Sequence, residues 1–364
     1  MNDATSKVYL DLCNVLSFLG HDVRIFVMSE TNGESKLDVY PLYSIRGYVY
    51  PDHTSPVKYL DFATLILFKR RPLMWLMNRS AHKLFQRVDK FAPDVIVIGD
   101  YILADALSRY LKSKKDKIKI VSIMDSPAAV RNALAGYGGI INLLLKDRYI
   151  DWGMDKYRLM CRLSHIVTSS PNALKEIQIE IPLAQVTDIC PYYVDDIETS
   201  KSKQVKSILF IGSYKHAPNR EGINNILEKI APKIPEVVFW IAGKDCPKQT
   251  IKNVHFLGEV DDPSELIRRA DLCIAPITSG SGRKAKMFDY LSKGKVVIGT
   301  SLALDGFGLQ DNYDAIIEDD LDKYAGRIRA ITPQHLKLMQ KNVPKVIKKY
   351  TKRVIAEEWR NVIE

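Results

Sequence analysis

The chain has 364 residues, which is more than one hydrophobic core usually supports, so its length predicts two domains of roughly 150–200 residues each. It is 46% hydrophobic and 26% charged, and its 19 Gly and 17 Pro are scattered, which excludes collagen-like, low-complexity and wholly disordered proteins. The formal net charge of +10 indicates an anionic partner, and nucleotide phosphate, acidic lipid and nucleic acid all stay open.

The residues at the N-terminus are polar and lack the basic start and apolar run of a secretory signal, so we expect a cytoplasmic protein. The five cysteines are far apart and form no C-x-x-C pair, which favours reduced thiols over a zinc or redox site. No RNA- or DNA-binding motif is visible, so the sequence argues against nucleic acid as the partner. The basic excess at 112–119 and 341–353 is consistent with solvated surface.

The chain opens with a predicted helix over residues 7–19, closed by Gly20, and only then reaches its first predicted strand at 23–28. A doubly wound domain normally begins with a strand and a glycine-rich turn. This order therefore predicts an N-terminal domain that is either shortened or lacks its usual first strand.

Residues 59–85 mix apolar and basic side chains. The basic run Lys69, Arg70 and Arg71 makes a membrane-spanning helix very costly. Together with Trp75, these residues could lie flat on an acidic bilayer, as a peripheral attachment to the inner face of the membrane. Two core helices around Pro72 are an equally good interpretation.

The remaining N-terminal pattern alternates short apolar runs at 95–98, 118–123 and 166–168 with helical stretches at 81–90 and 155–163. Such alternation is typical of a parallel sheet built from strand–helix units. A polar, charged segment at 195–203 then predicts an exposed linker. We expect an N-terminal domain over 1–198, a C-terminal domain over 199–345 and a final helix over 346–364.

The C-terminal half shows the same alternation more clearly. Its candidate strands are mostly apolar rather than alternating, as strands covered on both faces should be. They are at 207–211, 237–242, 254–257, 272–276, 296–299 and 315–317. A helix predicted from about residue 283 to 293 ends at Gly294.

The segment entering that helix has the chemistry of an anion site. Small residues let the backbone approach a phosphate, and the helix N-terminus attracts it. Arg283, Lys284 and Lys286 add full charges, and Asp289, three residues past Lys286, lies on the same helix side to accept hydrogen bonds from ribose hydroxyls. A solvated lysine face with Asp289 as an intrahelical partner explains the segment about equally well when it is taken alone.

Several motifs in order resemble the donor domain of GT-B glycosyltransferases of the family 4 type, also called glycosyl transferases group 1. They span about 100 residues, and their combination is far more specific than any one of them. The matching segments are 210–213 with 217–222, 254–260, 282–294 with 295–298, and 305–306. The resemblance implies the GT-B fold, in which two Rossmann-like doubly wound domains face each other across a cleft. It makes residues 1–198 the acceptor-side domain and residues 199–345 the nucleotide-sugar-binding domain, with the final helix over 346–364 crossing back to the first domain.

By position, the resemblance makes Lys286 the family's phosphate lysine and Asp289 the second acid of its E-x7-E motif, which binds ribose. The first acid falls at Ser281, so a carboxylate is missing there, and Asp289 is one methylene shorter than Glu. The donor-binding residues implied are Gly212, Ser213, Asn219, Arg220, Gly258, Val260, Ser281, Gly282, Arg283, Lys284, Lys286 and Asp289.

In the N-terminal half the resemblance rests mainly on residues 123–127 and 155–170, and it makes Asp125 the catalytic candidate beside Lys286. Asp125 would follow the carboxyl end of a strand, where open parallel sheets place ligands. Capping the helix that starts at Pro127 is an equally good role for it. His216 and His255 are further candidate donor contacts, although isolated histidines are more often ordinary polar residues.

The resemblance implies a retaining, metal-independent hexosyltransferase-type enzyme of polysaccharide or glycolipid biosynthesis. It would need no cofactor and would use a UDP- or GDP-linked sugar as donor and a glycan or lipid-linked acceptor. Two alternatives stay open: a sugar-nucleotide 2-epimerase of the same fold, and a degenerate non-catalytic sugar-nucleotide-binding protein.

Overall fold

The computed structural model describes residues 4–29, 42–46, 83–99, 101–114, 118–136, 142–280 and 282–364. The chain divides into two compact units. The C-terminal unit consists of Met1–Asp11 and Cys190–Ile355, and the N-terminal unit consists of Leu12–Ile189 and Ala356–Glu364. The division after Ile189 thus falls before the charged linker at which the sequence predicted a domain boundary.

The N-terminal unit contains a four-stranded, all-parallel sheet in the order β3-β4-β5-β6. Its first strand in the chain, β1, pairs instead with β2 in a two-stranded parallel sheet. The strands are β1 (Ile25–Ser29), β2 (Leu42–Arg46), β3 (Val95–Ile98), β4 (Lys119–Ile123), β5 (His165–Thr168) and β6 (Val186–Asp188). The helices that begin in this part of the chain are α1 (Ala4–Phe18), α2 (Ala104–Lys112), α3 (Pro127–Gly136), α4 (Asn142–Leu163) and α5 (Pro171–Glu180).

The C-terminal unit contains a seven-stranded sheet in the order β13-β12-β11-β7-β8-β10-β9. All neighbours are parallel except β9, which runs antiparallel to β10 at one edge. The strands are β7 (Ser207–Ile211), β8 (Val238–Ala242), β9 (Lys248–Ile251), β10 (Val254–Gly258), β11 (Leu272–Ala275), β12 (Val297–Gly299) and β13 (Ile316–Ile317). The helices that begin in this part of the chain are α6 (Ala217–Asn225), α7 (Ser264–Arg269), α8 (Ala285–Ser292), α9 (Tyr324–Arg329), α10 (Pro333–Ile347) and α11 (Lys352–Ile363). From Ala356 onward, α11 belongs to the N-terminal unit.

The predicted parallel α/β architecture is confirmed, and the strands predicted in the C-terminal half lie within a residue or so of the observed ones. The apolar strands β7 and β11 are buried along nearly their whole length because helices cover both faces of the sheet. The helix predicted from about residue 283 begins at Ala285 instead, so Arg283 and Lys284 lie in the loop before it.

A buried lysine holds the start of the C-terminal unit together. Lys295 is 3% exposed, and its ammonium donates to the carbonyl oxygens of Arg268 and Ala270 at 2.9 and 2.7 Å and to the Ser200 hydroxyl at 3.1 Å. Burial lowers the pKa of this lysine. These three acceptors satisfy the hydrogen-bond donors of an otherwise costly buried cation. They also join the segment after β6 to the C-terminal end of α7.

Gly294 permits the close approach of the same segment. Its φ of +67° is in the left-handed region, and a Cβ there would lie 2.6 Å from the backbone N of Ser200 and 2.7 Å from the carbonyl O of Glu198. We expect Gly294→Ala to lower the free energy of unfolding by at least about 2 kcal/mol, because it adds both backbone strain and a clash. Denaturant titration measures the change.

Gly326 provides the matched control. It lies inside α9, and a Cβ there meets nothing within 4 Å. Gly326→Ala should therefore raise stability by roughly 0.5–1 kcal/mol through helix propensity. Equal effects of the two substitutions would contradict the close approach at Gly294.

Candidate functional site

The strand order of the C-terminal unit defines where a ligand should bind. From β7 the chain builds outward through β8 to β10, and it then returns to β11 on the other side of β7 and continues to β12 and β13. The order therefore reverses between β7 and β11, and parallel α/β sheets bind ligands outside the carboxyl ends of the strands at such a point. The loops after these two strands are the place to look for a site.

Glycines allow the carboxyl ends of β7, β8 and β10 to lie close together. A Cβ on Gly243, just after β8, would lie 2.4 Å from the carbonyl O of Gly212, just after β7. The Gly243 N–H donates to the Gly258 carbonyl, at the end of β10, at 3.0 Å. Bulkier residues at Gly212 or Gly243 would separate these loops, so the glycines bring the backbone near any ligand at this edge.

Lys286, in the first turn of α8, lies at the same edge. Its ammonium donates to the Asn219 side-chain oxygen at 2.7 Å and lies 4.0 Å from the centre of the Phe210 ring on β7. Asn219 in turn donates to the Ser213 carbonyl at 3.2 Å and packs against Gly212, where a Cβ would be 2.7 Å from its side chain. The structure thus brings together Gly212, Ser213, Asn219 and Lys286, four residues that the sequence predicted to bind the donor.

A tyrosine fixes α8 to the central strand. The Ile211 N–H, at the end of β7, donates to the Tyr290 hydroxyl oxygen at 2.6 Å, and Tyr290 is fully buried. Met287, Phe288 and Leu291 are also buried, whereas Lys286 and Asp289 are partly exposed. The helix therefore turns its apolar face to the core and leaves Lys286 and Asp289 outside it, as predicted.

The site concentrates positive charge. Burial, reinforced by the charge of Lys284, lowers the pKa of Lys286 to about 7. Burial also lowers the pKa of Lys284, although Asp305 partly opposes this shift. Burial together with Lys286 and Lys284 lowers the pKa of His216, the residue that precedes α6. Three basic groups thus disfavour one another's charge, and a bound anion would relieve this repulsion.

Arg283 is held by the loop after β12. Its Nε donates to the Gly306 carbonyl at 2.9 Å, and its guanidinium lies 5.9 Å from the centre of the Tyr350 ring. The Tyr350 hydroxyl donates to the same carbonyl at 2.7 Å. Gly306 belongs to the segment Asp305-Gly306, one of those that resemble the family, and this contact joins that segment to the loop before α8.

Residues 205–334 match the family model for glycosyl transferases group 1. This segment is similar to the glycosyltransferase domain of that family. The matched range covers β7 to the start of α10, and it therefore includes every donor-site residue described above except Tyr350. No curated protein sequence matches the chain.

Solved structures share the fold over nearly the whole chain. Sucrose-phosphate synthase from Thermosynechococcus elongatus is 12% identical with a TM-score of 0.70, and the match covers 97% of this chain and 91% of that one. HepE from Anabaena in complex with UDP and glucose is 12% identical with a TM-score of 0.62, and the match covers 96% of this chain and 94% of that one. A glycosyltransferase from Rickettsia africae ESF-5 is 13% identical with a TM-score of 0.62, and the match covers 98% of this chain and 93% of that one. This likeness confirms the predicted GT-B fold, and at such low identity it shows the fold alone.

The remaining residues predicted to contact the donor lie in strands, helices and loops of the same C-terminal unit. Gly282 has a φ of +69° in the loop before α8. Val260 follows β10 in a partly exposed loop, and Arg220 is exposed on α6. His255, inside β10, lies 3.4 Å from the Thr250 hydroxyl of β9, so this contact joins it to the sheet edge. Ser281 lies outside the described residues.

Asp125 belongs to the N-terminal unit and comes two residues after β4. Its carboxyl is at the surface, yet the surrounding protein raises its pKa by desolvation. The neighbouring Ser126 caps α3 by accepting from the Ala129 N–H at 3.2 Å, and the Tyr157 hydroxyl donates to the Asp125 backbone carbonyl at 2.9 Å. The capping role considered for Asp125 therefore falls to Ser126, and the Asp125 side chain stays a catalytic candidate.

Lys69, Arg70, Arg71 and Trp75 lie outside the described residues. Among the helices of the described ranges, none has both the length and the apolar character to cross a bilayer. Within those ranges, no three His, Cys, Asp or Glu side chains are grouped to hold a metal ion.

Sequence patterns did not reveal Phe210, Tyr290 or Tyr350 as supports of the site. Phe210 and Tyr290 look like ordinary core residues because each is apolar and falls on a buried face. Tyr350 lies 64 residues after Lys286, so only the tertiary structure brings it to the cationic loop. A hydroxyl on a buried helical face, as at Tyr290, is the one signal that could have been noticed.

The lowered pKa of Lys286 predicts the pH dependence of anion binding. A nucleotide sugar carries a doubly esterified diphosphate that stays ionised near neutrality, and it binds the protonated lysine. Binding therefore raises the pKa, and affinity should fall as pH rises from about 7 to about 9, by up to tenfold per pH unit. Burial and the two neighbouring lysines lower the pKa of His216, so this residue contributes less than Lys286 to the pH dependence.

Titration calorimetry with a nucleotide sugar across this range measures the slope, and proton uptake near pH 8 should accompany binding. Lys286→Met should bind more weakly and lose the slope. The same slope in wild type and Lys286→Met would assign the titration to another group.

Proposed function

We propose that this protein is a retaining, metal-independent glycosyltransferase that uses a UDP- or GDP-linked sugar and a glycan or lipid-linked acceptor. The observation that carries the proposal is the position of Lys286. Its partly desolvated ammonium lies at the reversal point of the sheet, beside Lys284, His216 and the close-packed glycine loops. Such a place accepts two linked phosphates, because charge, backbone approach and a helix N-terminus coincide there.

The assignment of a nucleoside diphosphate rests on the residues around this cation. Lys286 and Asp289 are three residues apart on α8 and both are partly exposed, so a diphosphate and a ribose can lie along one helix. Structures of HepE and of a pneumococcal O-GlcNAc transferase, GtfA, contain UDP. These complexes favour UDP as the nucleotide. The sugars in them differ, glucose in one and GlcNAc in the other, so they do not single out a donor sugar.

The charge chemistry supports departure of the diphosphate without a metal ion. As the sugar–oxygen bond breaks, negative charge grows on the phosphate that leaves. Lys286, Lys284 and the amino end of α8 are already in place to stabilise it. The acceptor hydroxyl attacks the anomeric carbon from the same face and passes its proton to the departing phosphate oxygen, so the configuration is retained.

Asp125 is proposed as the second catalytic group. Positive charge develops on the sugar ring in the transition state, and a carboxylate in a partly desolvated position stabilises it more strongly than one in water.

The acceptor is proposed to be presented at an acidic membrane surface or as a soluble glycan. The mixed basic and apolar segment with Lys69, Arg70, Arg71 and Trp75 supports peripheral attachment to the cytoplasmic face. Arg70→Glu combined with Arg71→Glu is the variant that examines this attachment.

A donor screen tests the nucleotide site. We expect one of the UDP-, GDP- or ADP-sugars to raise the melting temperature selectively. At a hundredfold excess over Kd, such binding adds about 2.7 kcal/mol to the free energy of unfolding. Lys286→Ala should remove most of the shift. Lys229→Ala, an exposed lysine in the turn Ile226–Ile230, should keep it.

A shift that is unchanged in Lys286→Ala would remove the site assignment. Conversion of the free donor sugar without any acceptor would instead favour the epimerase alternative. The anomeric configuration of the product, read by NMR, decides whether transfer retains or inverts.

Substitutions at the adjacent residues Asp125 and Ser126 distinguish a catalytic role from a structural one in the N-terminal unit. Asp125→Asn should lower the transfer rate by at least about 100-fold while leaving the donor-induced thermal shift intact. Ser126→Ala should instead cost about 1 kcal/mol of stability, because it removes the α3 cap, and leave transfer nearly unchanged. Full activity in Asp125→Asn would exclude the proposed role.

A further inference from the structure

The helix α10 has an unusual solvent face. Between residues 323 and 356 the sequence contains ten Lys and Arg and no Asp or Glu, so this segment alone carries a charge equal to the net +10 of the chain. Two of the arginines are neutralised, since Arg327 forms an ion pair with Asp311 and Arg329 forms one with Glu236. The remaining charge is concentrated along α10 and the turn that follows it.

The exposed positions of α10 fall on one side. At 100° per residue they span an arc of roughly 120°. The buried side consists of Leu336, Met339, Gln340, Asn342, Val343, Val346 and Ile347. The exposed arc consists of Gln334, Lys337, Leu338, Lys341 and Lys345, continued by Lys348 and Lys349.

This arrangement costs stability. Lys337, Lys341 and Lys345 follow one another at intervals of four residues, and like charges at that spacing destabilise a helix. An ordinary solvated helix face mixes both signs. A face made of one sign becomes favourable only when an anionic surface lies against it.

Apolar side chains accompany the lysines. Leu338 is 52% exposed on the same arc, and Tyr313 is 44% exposed beside it. The Lys345 ammonium lies 6.0 Å from the Tyr313 ring, and the Asn342 amide donates to the Tyr313 carbonyl at 3.0 Å, which fixes this residue against the helix. A soluble polyanion satisfies lysines but gives nothing to an exposed Leu and Tyr, whereas the interface of an acidic bilayer satisfies both.

We propose that the α10 face, defined by Lys337, Leu338, Lys341, Lys345, Lys348 and Tyr313, is a docking surface for an anionic lipid bilayer. Basic residues on an amphipathic helix are attracted to the negative surface potential, and Leu338 and Tyr313 enter the headgroup region. This surface lies in the C-terminal unit, is separate in sequence from residues 59–85, and does not depend on the proposed enzymatic activity.

Vesicle sedimentation of the full chain tests the proposal. Wild type should bind vesicles that contain about 30% phosphatidylglycerol and should bind pure phosphatidylcholine vesicles far more weakly, with binding to the acidic vesicles falling as salt is raised. The triple change Lys337→Glu, Lys341→Glu and Lys345→Glu should weaken binding to the acidic vesicles by about 100-fold.

A matched control changes the same net charge elsewhere. Lys201→Glu, Lys203→Glu and Lys206→Glu reverse three exposed lysines of the same unit and should keep most of the binding. Equal losses in the two triple variants would reduce the effect to net charge and overturn the proposal, as would no loss in the α10 variant. Both variants should keep the circular dichroism spectrum and the cooperative thermal unfolding of wild type, which shows that they fold.

Leu338→Ser distinguishes a bilayer from a soluble polyanion. Binding to acidic vesicles should fall severalfold, because an apolar side chain no longer enters the interface. Binding to polyglutamate in solution should not depend on residue 338. The contrary result is strong polyglutamate binding by wild type together with vesicle binding that is insensitive to Leu338→Ser. That result would assign the surface to an acidic polymer and overturn the proposal of a bilayer-docking surface.

Discussion

The ammonium group of Lys286, held between the Asn219 side chain and the Phe210 ring, is the interaction on which the candidate site depends. Asn219 fixes the loop after β7, and Phe210 belongs to the central strand itself. One cation therefore connects the strand, its loop and the start of α8. Because burial disfavours its charge, this ammonium is costly when alone and would interact strongly with a bound anion.

The same unit carries positive charge in two physically different settings. Around Lys286, burial and neighbouring cations lower pKa values, so the charge responds to ligands and pH. Along α10 the lysines are exposed, so they act mainly through their summed field and are screened by salt. Net charge of the whole chain cannot distinguish these settings, although both contribute to it.

Much of the C-terminal unit could be predicted because its strands are continuous apolar runs between clear turn signals, as at residues 207–211 and 272–275. Polar strands were missed: β9 reads Lys-Gln-Thr-Ile and is held only by its pairing with β10. The order of motifs located Lys286 and Asn219 but not their mutual contact, since that depends on which strand ends are adjacent. Likewise, sequence alone did not distinguish Ser126 from Asp125 as a cap, because both types accept the same backbone hydrogen bond.

The bond between the Ile211 N–H and the buried Tyr290 hydroxyl ties the anion-binding helix to the middle of the sheet. A helix anchored in this way is rigid before any ligand arrives. Little ordering entropy then remains to be lost on association, so affinity can be set by the ligand's own contacts rather than by the cost of assembling the receptor. For the proposed glycosyl transfer, selectivity among sugars could then reside in the loops, which can vary without disturbing α8 and Lys286.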